Sequence, residues 1–536
     1  MSTHPQGYDY VIVGGGSAGA IVAARLAEDP GSRVLVLEAG PENTSYWSRV
    51  PLGFAKILFK PEFMWLDWKT QPDESLGGTV YALPHGKLLG GSSAINGLVH
   101  VRGNPGDYDA WEEAGATGWN YRSMLPYFKK SEHDSRGETE FHGGGGPFKV
   151  EPARWKNPLA DAFIQTASHV LGVPRNDDFN RDRIEGAGYW DLATWNGRRT
   201  STDVAYLEPA RKKPNLDVTT EATVTRIDFD GRRATGVTYR KDGHSVRVTA
   251  RRDVILSAGA LHTPQLLQVS GVGPGALLQS HGIALVHDLP GVGENLMDHV
   301  QYGARFKTTS PHTFNKKVGS WLSQAIQGVK YYLLPRNGPL NIGASLAGAF
   351  FRTDPQLPEP DIQLHFLPFM PGDKGWDLAD FSGFRLGMYQ GRPHSRGHAR
   401  ITSPSVDDQP DFVFNHLSHE EDVAVAVAGM RAAMNIAAAM PADLAIEQIA
   451  PKPNPSDAEL LQYIKETSDT AFHFAGTARM GGDDMAVVEP TTMRVRGVEG
   501  LRVVDASVLP GELTANIHPA VIGVAERAAD LIKASR

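Results

Sequence analysis

The chain opens with apolar and polar stretches in the order strand, turn, helix, strand. Residues 10–13 form a short apolar run, Gly14, Gly16 and Gly19 follow as a G-x-G-x-x-G turn, 20–27 has helical periodicity, and a second apolar run at 34–37 ends at Glu38. Further on, strand-like segments at 216–219, 222–229, 234–239, 246–251 and 253–256 are separated by turn signals such as Asp230-Gly231 and Asp242-Gly243, and a helix is expected over 263–270. A last strand at 501–504 precedes a closing helix at 519–534. Between these pieces, strand-like runs at 361–369, 384–389 and 398–402 are followed by helical patterns at 420–439 and 457–466. Strands followed by helices suggest an antiparallel sheet covered on one side.

Two interleaved domains account for this order. The expected fold is α/β (α+β): a Rossmann-like nucleotide-binding domain from 1–155, 201–305 and 463–536, and a substrate domain on an antiparallel sheet covered by helices from 156–200 and 306–462. In the opening unit, Gly14 permits the tight turn, Gly16 admits a pyrophosphate against bare backbone, and Gly19 lets the helix pack on the strand. Glu38 is expected to take the hydroxyls of a ribose, and its charge disfavours a 2′-phosphate, which leaves NAD or FAD. The glycine-rich stretch 137–147 reads as a flexible surface loop.

Composition narrows the function classes. The 536 residues exceed a single core, and 41% hydrophobic with 21% charged content is ordinary for a globular protein. A net charge of −8, spread along the chain, offers no footprint for nucleic acid. The absence of cysteine excludes disulfides, thiolate metal sites and cysteinyl flavin attachment. No His-Glu-x-x-His spacing occurs, and the G-x-S-x-G match at 15–19 belongs to the dinucleotide turn and offers no hydrolase nucleophile, so neither a metal nor a serine nucleophile is expected, and 416–420 reads as a helix start capped by Ser418. The first ten residues lack a signal-peptide pattern, and no uninterrupted apolar run reaches bilayer-spanning length, which suggests a cytoplasmic protein. Peripheral membrane contact is conceivable at 54–65 and 321–334, but both segments read first as core or lid.

Several blocks together resemble the glucose-methanol-choline (GMC) flavin oxidoreductases over essentially the whole chain. They are Gly86-Lys87-Leu88-Leu89-Gly90-Gly91-Ser92-Ser93-Ala94-Ile95-Asn96, the run from Gly259-Ala260-Leu261-His262-Thr263-Pro264 to Gly273, Gly291 to His299, and Val503 to Pro510. The resemblance implies FAD as the cofactor. It would be held by Gly14, Gly16, Ser17, Ala18, Gly19, Glu38 and Ala39, by Gly90, Gly91, Ser92, Asn96 and Gly97, by Val224, and by Asp505, Ala506, His518 and Pro519. Some members attach FAD through a histidine at the position where Ile95 stands, so binding here is expected to be noncovalent.

The resemblance also implies the chemistry, oxidation of an alcohol to a carbonyl. The block His473-Phe474-Ala475-Gly476-Thr477-Ala478-Arg479-Met480-Gly481 is similar to that holding the family's catalytic base, which assigns His473 to proton abstraction. The second position, His or Asn in the family, is assigned to His518, which would steady the developing alkoxide or, if protonated, reduced flavin. The other histidines of these blocks, His85, His100, His262 and His299, read as packing or hydrogen-bonding groups. Phe472, Trp65, Phe366 and Phe369 are candidates for an apolar pocket around a primary alcohol. A His–His pair resembles several oxidases, so oxygen is the expected acceptor, with a dehydrogenase using a quinone-type carrier as one alternative and a non-redox hydroxynitrile lyase-like enzyme as another.

Overall fold

In the computed structural model, residues 7–333, 337–372 and 378–535 are described. Residues 1–6, the start of the segment read for a signal-peptide pattern, and Leu334 of the 321–334 segment lie outside that set. The first sheet has Leu216–Thr219, Val34–Leu37, Tyr8–Val13 and His244–Leu256 side by side and parallel, with Leu501–Val503 also parallel to the last of these. Its central strands Tyr8–Val13 and Val34–Leu37 are buried along their whole length, as the middle of a covered parallel sheet requires.

His244–Leu256 is one long strand, where the sequence suggests two. Its first half pairs antiparallel with Arg233–Lys241, which pairs in turn with Thr223–Asp230, while Asp253 to Leu256 lie against Tyr8–Val13. The polar run Arg251-Arg252-Asp253 does not interrupt it because each charge finds a partner: Arg251 bonds Asp9 at 2.9 Å, Arg252 the Tyr10 hydroxyl at 3.3 Å, and Asp253 Arg502 at 3.1 Å. Helix Ser17–Leu26 packs beside the closing helix His518–Ala534, where Arg25 pairs with the buried Glu526 at 2.7 Å.

The second sheet runs Glu447–Ala450, Val300–Lys307, Gly383–Gln390, Ile362–Leu367, Ala347–Phe351, Gly186–Tyr189, all antiparallel. Since Val300–Lys307 belongs to it throughout, the boundary expected after 305 cuts through a strand. Helices Pro158–Leu171, Glu420–Ala439 and Asp457–Thr467 pack together on one face. Glu420–Ala439 is the one described helix with the length and hydropathy to cross a membrane, and its packing on this sheet makes it a core helix. It is capped by His419, whose Nδ1 accepts the Glu421 N–H, and not by Ser418. Of the two candidate surface segments, 54–65 turns inward through Phe54, Ile57 and Met64, whereas Trp321–Leu333 is exposed along most of its length.

The loop at 137–147 is pinned to both parts of the molecule. His142 is buried between Glu132 at 3.0 Å and Asp178 at 2.9 Å, and Arg102 and Arg136 neutralise the neighbouring carboxylates of Glu132, Asp134 and Asp191. Burial alone would lower the His142 pKa, but hydrogen bonds to Asp178 and Glu132 overcome it and push the group up to about 9. Its pairing therefore stabilises fully below about pH 6.5 and is lost as pH rises through about 9. Replacing His142 by leucine removes one partner each from Glu132 and Asp178, which keep Arg102 and Arg181, and is expected to cost about 1–3 kcal/mol. Thermal unfolding at pH 6 against pH 10 checks it: the gap between parent and variant narrows at the higher pH.

Candidate active site

His473 stands on a turn whose backbone is held from below. The buried Asp298 carboxylate accepts the His473 backbone N–H at 2.8 Å and the Thr470 hydroxyl, and Thr470 Oγ1 accepts the Phe472 N–H at 2.8 Å. Phe472 is thereby kept at φ +63°, a left-handed conformation uncommon for a bulky residue. Its ring consequently points outward and is 47% exposed.

The side chain of His473 lies in a directional hydrogen-bond chain. His299 Nε2 is 2.8 Å from the carbonyl oxygens of Gly391 and Leu513, which only accept, so this nitrogen carries a hydrogen. Burial pushes the His299 pKa down to about 4, so the ring is neutral and its Nδ1 has a lone pair. That lone pair accepts from His473 Nδ1 at 2.8 Å, which fixes the hydrogen of His473 on Nδ1 and leaves its Nε2 basic. Burial, with His299 and His365 alongside, holds the His473 pKa well below the ordinary imidazole value.

Beyond Nε2 the chain continues in one sense. Asn516 Nδ2 lies 3.3 Å from His473 Nε2, Asn516 Oδ1 accepts from Gln363 Nε2 at 3.2 Å, and Gln363 Oε1 accepts from the Tyr389 hydroxyl. Tyr389 also stacks on His299 with ring centroids 4.3 Å apart, and His365 stands 5.5 Å from Tyr389, held by Ser345 and Trp190. These side chains come from the uncovered face of the second sheet. Behind His299, Glu512 Oε1 is 3.9 Å from Nε2, and burial together with Asp298 holds this carboxyl well above its usual range.

No hydrogen bond joins the side chains of His473 and His518 among the described residues. His518 is the first residue of the closing helix and points elsewhere: its ring meets Phe148 at 5.7 Å and its Nε2 is buried without a partner. Burial, with His100 and Arg199 near, pushes its pKa down to about 3, which disfavours its cationic form. Asn516, two residues earlier and still in the loop, takes the place beside His473. The four pocket candidates also disperse. Phe366 stacks on Phe163 at 4.8 Å on the helix-covered face, because it alternates with His365 along the strand. Phe369 packs on Phe314, and Trp65 lies 4.7 Å from His262 in a cluster with Trp68 and His85.

The glycine blocks converge on a cradle. Gly14 has φ +100°, and a Cβ there would meet Ser257 O at 2.4 Å, while one on Gly19 would meet Gly14 O at 2.0 Å. Gly91 comes against Gly16, where an added Cβ would lie 2.8 Å from the Gly16 Cα. Gly16 precedes Ser17 and Ala18 with no side chain capping the helix, which leaves first-turn N–H groups for an anion. Glu38, next to Ala39, accepts the Gly15 and Gly40 N–H groups, each at 2.8 Å, which sets its carboxylate at the turn. Asp505 accepts the Gly259 N–H and the Thr263 hydroxyl at the start of another helix, beside Ala506. Near Gly90, Ser92 and Gly97, Asn96 receives two bonds of 2.7 Å from the buried Arg199, whose Nε has no partner. Orphaned nitrogens on Arg199 and His518, bare glycine edges and an uncapped helix start fit a flavin dinucleotide, which offers acceptors at its ring and phosphates.

The GMC oxidoreductase family models match residues 8–301 and 393–525. An alcohol dehydrogenase [acceptor] of Pseudomonas putida is 38% identical over 98% of this chain and 95% of its own. An oxygen-dependent choline dehydrogenase of Ectopseudomonas mendocina is 41% identical over 98% and 94%. Among solved structures, pyridoxine 4-oxidase from Mesorbium loti superposes with TM-score 0.87 at 30% identity over 98% of both chains. Formate oxidase of Aspergillus oryzae RIB40 superposes with TM-score 0.90 at 27% identity over 100% of this chain and 99% of its own. The chain belongs to the GMC oxidoreductase family, flavoproteins that bind FAD and act on CH–OH groups.

Proposed function

We propose that this chain oxidises a neutral primary alcohol to the aldehyde, with His473 as general base and Asn516 beside it, and passes the electrons to a quinone-type acceptor. The observation that carries this reading is the one-way hydrogen-bond chain that leaves His473 Nε2 as a lone pair next to the Asn516 amide. His473 Nε2 takes the hydroxyl proton, and Asn516 Nδ2 donates to the developing alkoxide. FAD, when bound, accepts the α-hydrogen as hydride. The residues that would hold it, noncovalently, are Gly14, Gly16, Ser17, Ala18, Gly19, Glu38 and Ala39, Gly90 to Ser92, Asn96, Gly97, Val224, Asp505, Ala506, His518 and Pro519, with Arg199 added from its place beside Asn96.

A quaternary ammonium substrate would meet the Tyr389 ring but no ionised carboxylate. Asp298 is engaged by Thr470 and the His473 backbone and burial pushes its pKa up to about 8, and Glu512 sits behind His299, where burial raises its pKa well above the usual range. The change of acceptor follows from Asn516. A His–His pair resembles several oxidases of the family and a His–Asn pair is common among its dehydrogenases, with both kinds of pair found on both sides. Choline is the second reading, favoured by the relatives named choline dehydrogenase.

Mixing the yellow holoenzyme anaerobically with benzyl alcohol, hexanol or choline, then admitting air, tests all three points. A neutral alcohol is expected to bleach the flavin, with slow recolouring in air and fast recolouring by a soluble quinone. Bleaching by choline alone would overturn the substrate assignment, fast recolouring in air the acceptor, and bleaching by none the alcohol reading itself.

A further inference from the structure

Helix Trp321–Leu333 carries its apolar side chains on the wrong face for a helix at rest on a soluble protein. At about 100° per residue, Trp321, Leu322, Ile326, Val329, Tyr332 and Leu333 fall within an arc of roughly 140°. All six are exposed, Trp321 by 80% and Leu333 by 79%. The buried residue of this helix, Tyr331, lies on the opposite side and donates to the Gly197 carbonyl at 2.6 Å. Tyr46 and Trp47, also exposed, extend the patch: Tyr46 stacks on Tyr332 with ring centroids 6.2 Å apart and meets Trp47 at 5.5 Å. Contiguous apolar surface of this kind marks an interaction site.

Charge indicates what covers it. The whole chain has a net charge of −8, yet from His299 to Thr353 it has no carboxylate side chain and seven lysines and arginines. Lys316 and Lys330 are exposed on and next to this helix. A second copy placed face to face would bring these like charges together. Tryptophan and tyrosine at the two ends of the stripe suit a headgroup boundary, where a ring has one apolar and one wet side. Thirteen residues span only about 20 Å, too short to cross a bilayer and suited to lying in its surface.

We propose that this face docks peripherally on an anionic lipid surface, with the helix in the plane of the headgroups. The docked face adjoins the cofactor blocks, because Arg199 links the Pro51 carbonyl, at the end of the loop carrying Tyr46 and Trp47, to the Asn96 carbonyl. Membrane docking would hold that end of the molecule against the lipid whichever electron acceptor is used.

The test is sedimentation of the holoenzyme with vesicles of phosphatidylcholine alone or mixed with phosphatidylglycerol. The expected result is binding to the mixed vesicles at low ionic strength, weakened by salt. W321S/L322S/I326S/V329S should lower the bound fraction by about tenfold or more, with thermal midpoint and turnover of a soluble acceptor as in the parent. K316Q/K330Q, which leaves the apolar stripe intact, should lose the preference for phosphatidylglycerol. A parent that stays in the supernatant with both vesicles, or a stripe variant that binds like the parent, overturns the proposal. So does a concentration-dependent dimer, formed without lipid and abolished by the same four substitutions, which would assign the face to a second copy.

Discussion

Replacing His473 by alanine is expected to slow alcohol-driven flavin bleaching by about 10²- to 10⁴-fold, with the bound-flavin spectrum and the flavin content unchanged. The size follows from the base having no substitute. His299 stays fixed behind the vacated position by its bonds to the Gly391 and Leu513 carbonyls, and burial, which pushes its pKa down to about 4, keeps its Nδ1 a weak base. The pH profile should carry the same signature. Because enclosure lowers the His473 pKa, its neutral form persists below the ordinary value of about 6.5, and the parent kcat/KM should hold through that pH and fall only in more acid solution. The variant should lack this acid limb, and added imidazole should restore part of its rate. Stopped-flow bleaching across pH checks both; an undiminished rate in the variant would remove His473 from the chemistry.

Asn516 is expected to have the second-largest effect. Its Nδ2 is the donor beside His473 Nε2, so Asn516→Ala should lower the bleaching rate by about 10²- to 10³-fold. Asn516→Asp keeps the shape, loses the donor, and should lose as much. His518→Ala makes the contrast, since His518 has no contact with His473 and stands near Arg199 at the proposed cofactor site. Its expected effect is weaker retention of FAD on dilution, with chemistry in the loaded enzyme preserved. A bleaching rate lower in His518→Ala than in Asn516→Ala would return the second position to residue 518.

What the sequence disclosed was local. Val34–Leu37 has the expected bounds because a fully buried strand is a continuous apolar run ended by polar residues, and Leu216–Thr219 also keeps its expected bounds although only Leu216 of it is buried. Glu420–Ala439 was equally legible, since periodicity and an acidic first turn coincide. Continuity across Arg251-Arg252-Asp253 was not, because its charged groups are paired with Asp9 and Arg502 and hydrogen-bonded to Tyr10, all distant in sequence. Phe366 was misread for a similar reason: which side of a strand faces the site depends on the register of the whole sheet, and that register points His365 and Gln363 inward.

At the site, the block around His473 was recognisable, but the choice between Asn516 and His518 turned on where the closing helix begins. An expected start at 519 leaves both in the loop, whereas the observed start at His518 carries that residue into the helix. The His299–His473 bond joins residues 174 positions apart and leaves no local trace. The exposed stripe of Trp321–Leu333 has the same periodicity as a buried one, so sequence alone suggested the usual inward packing.

The most direct measurement compares anaerobic flavin bleaching by a primary alcohol with that by the same alcohol deuterated at the α-carbon. Hydride transfer from the alcohol predicts slower bleaching with deuterium in the parent and a much slower reaction with either alcohol in His473→Ala. No bleaching by either alcohol, or one rate for both alcohols and both proteins, would contradict the account.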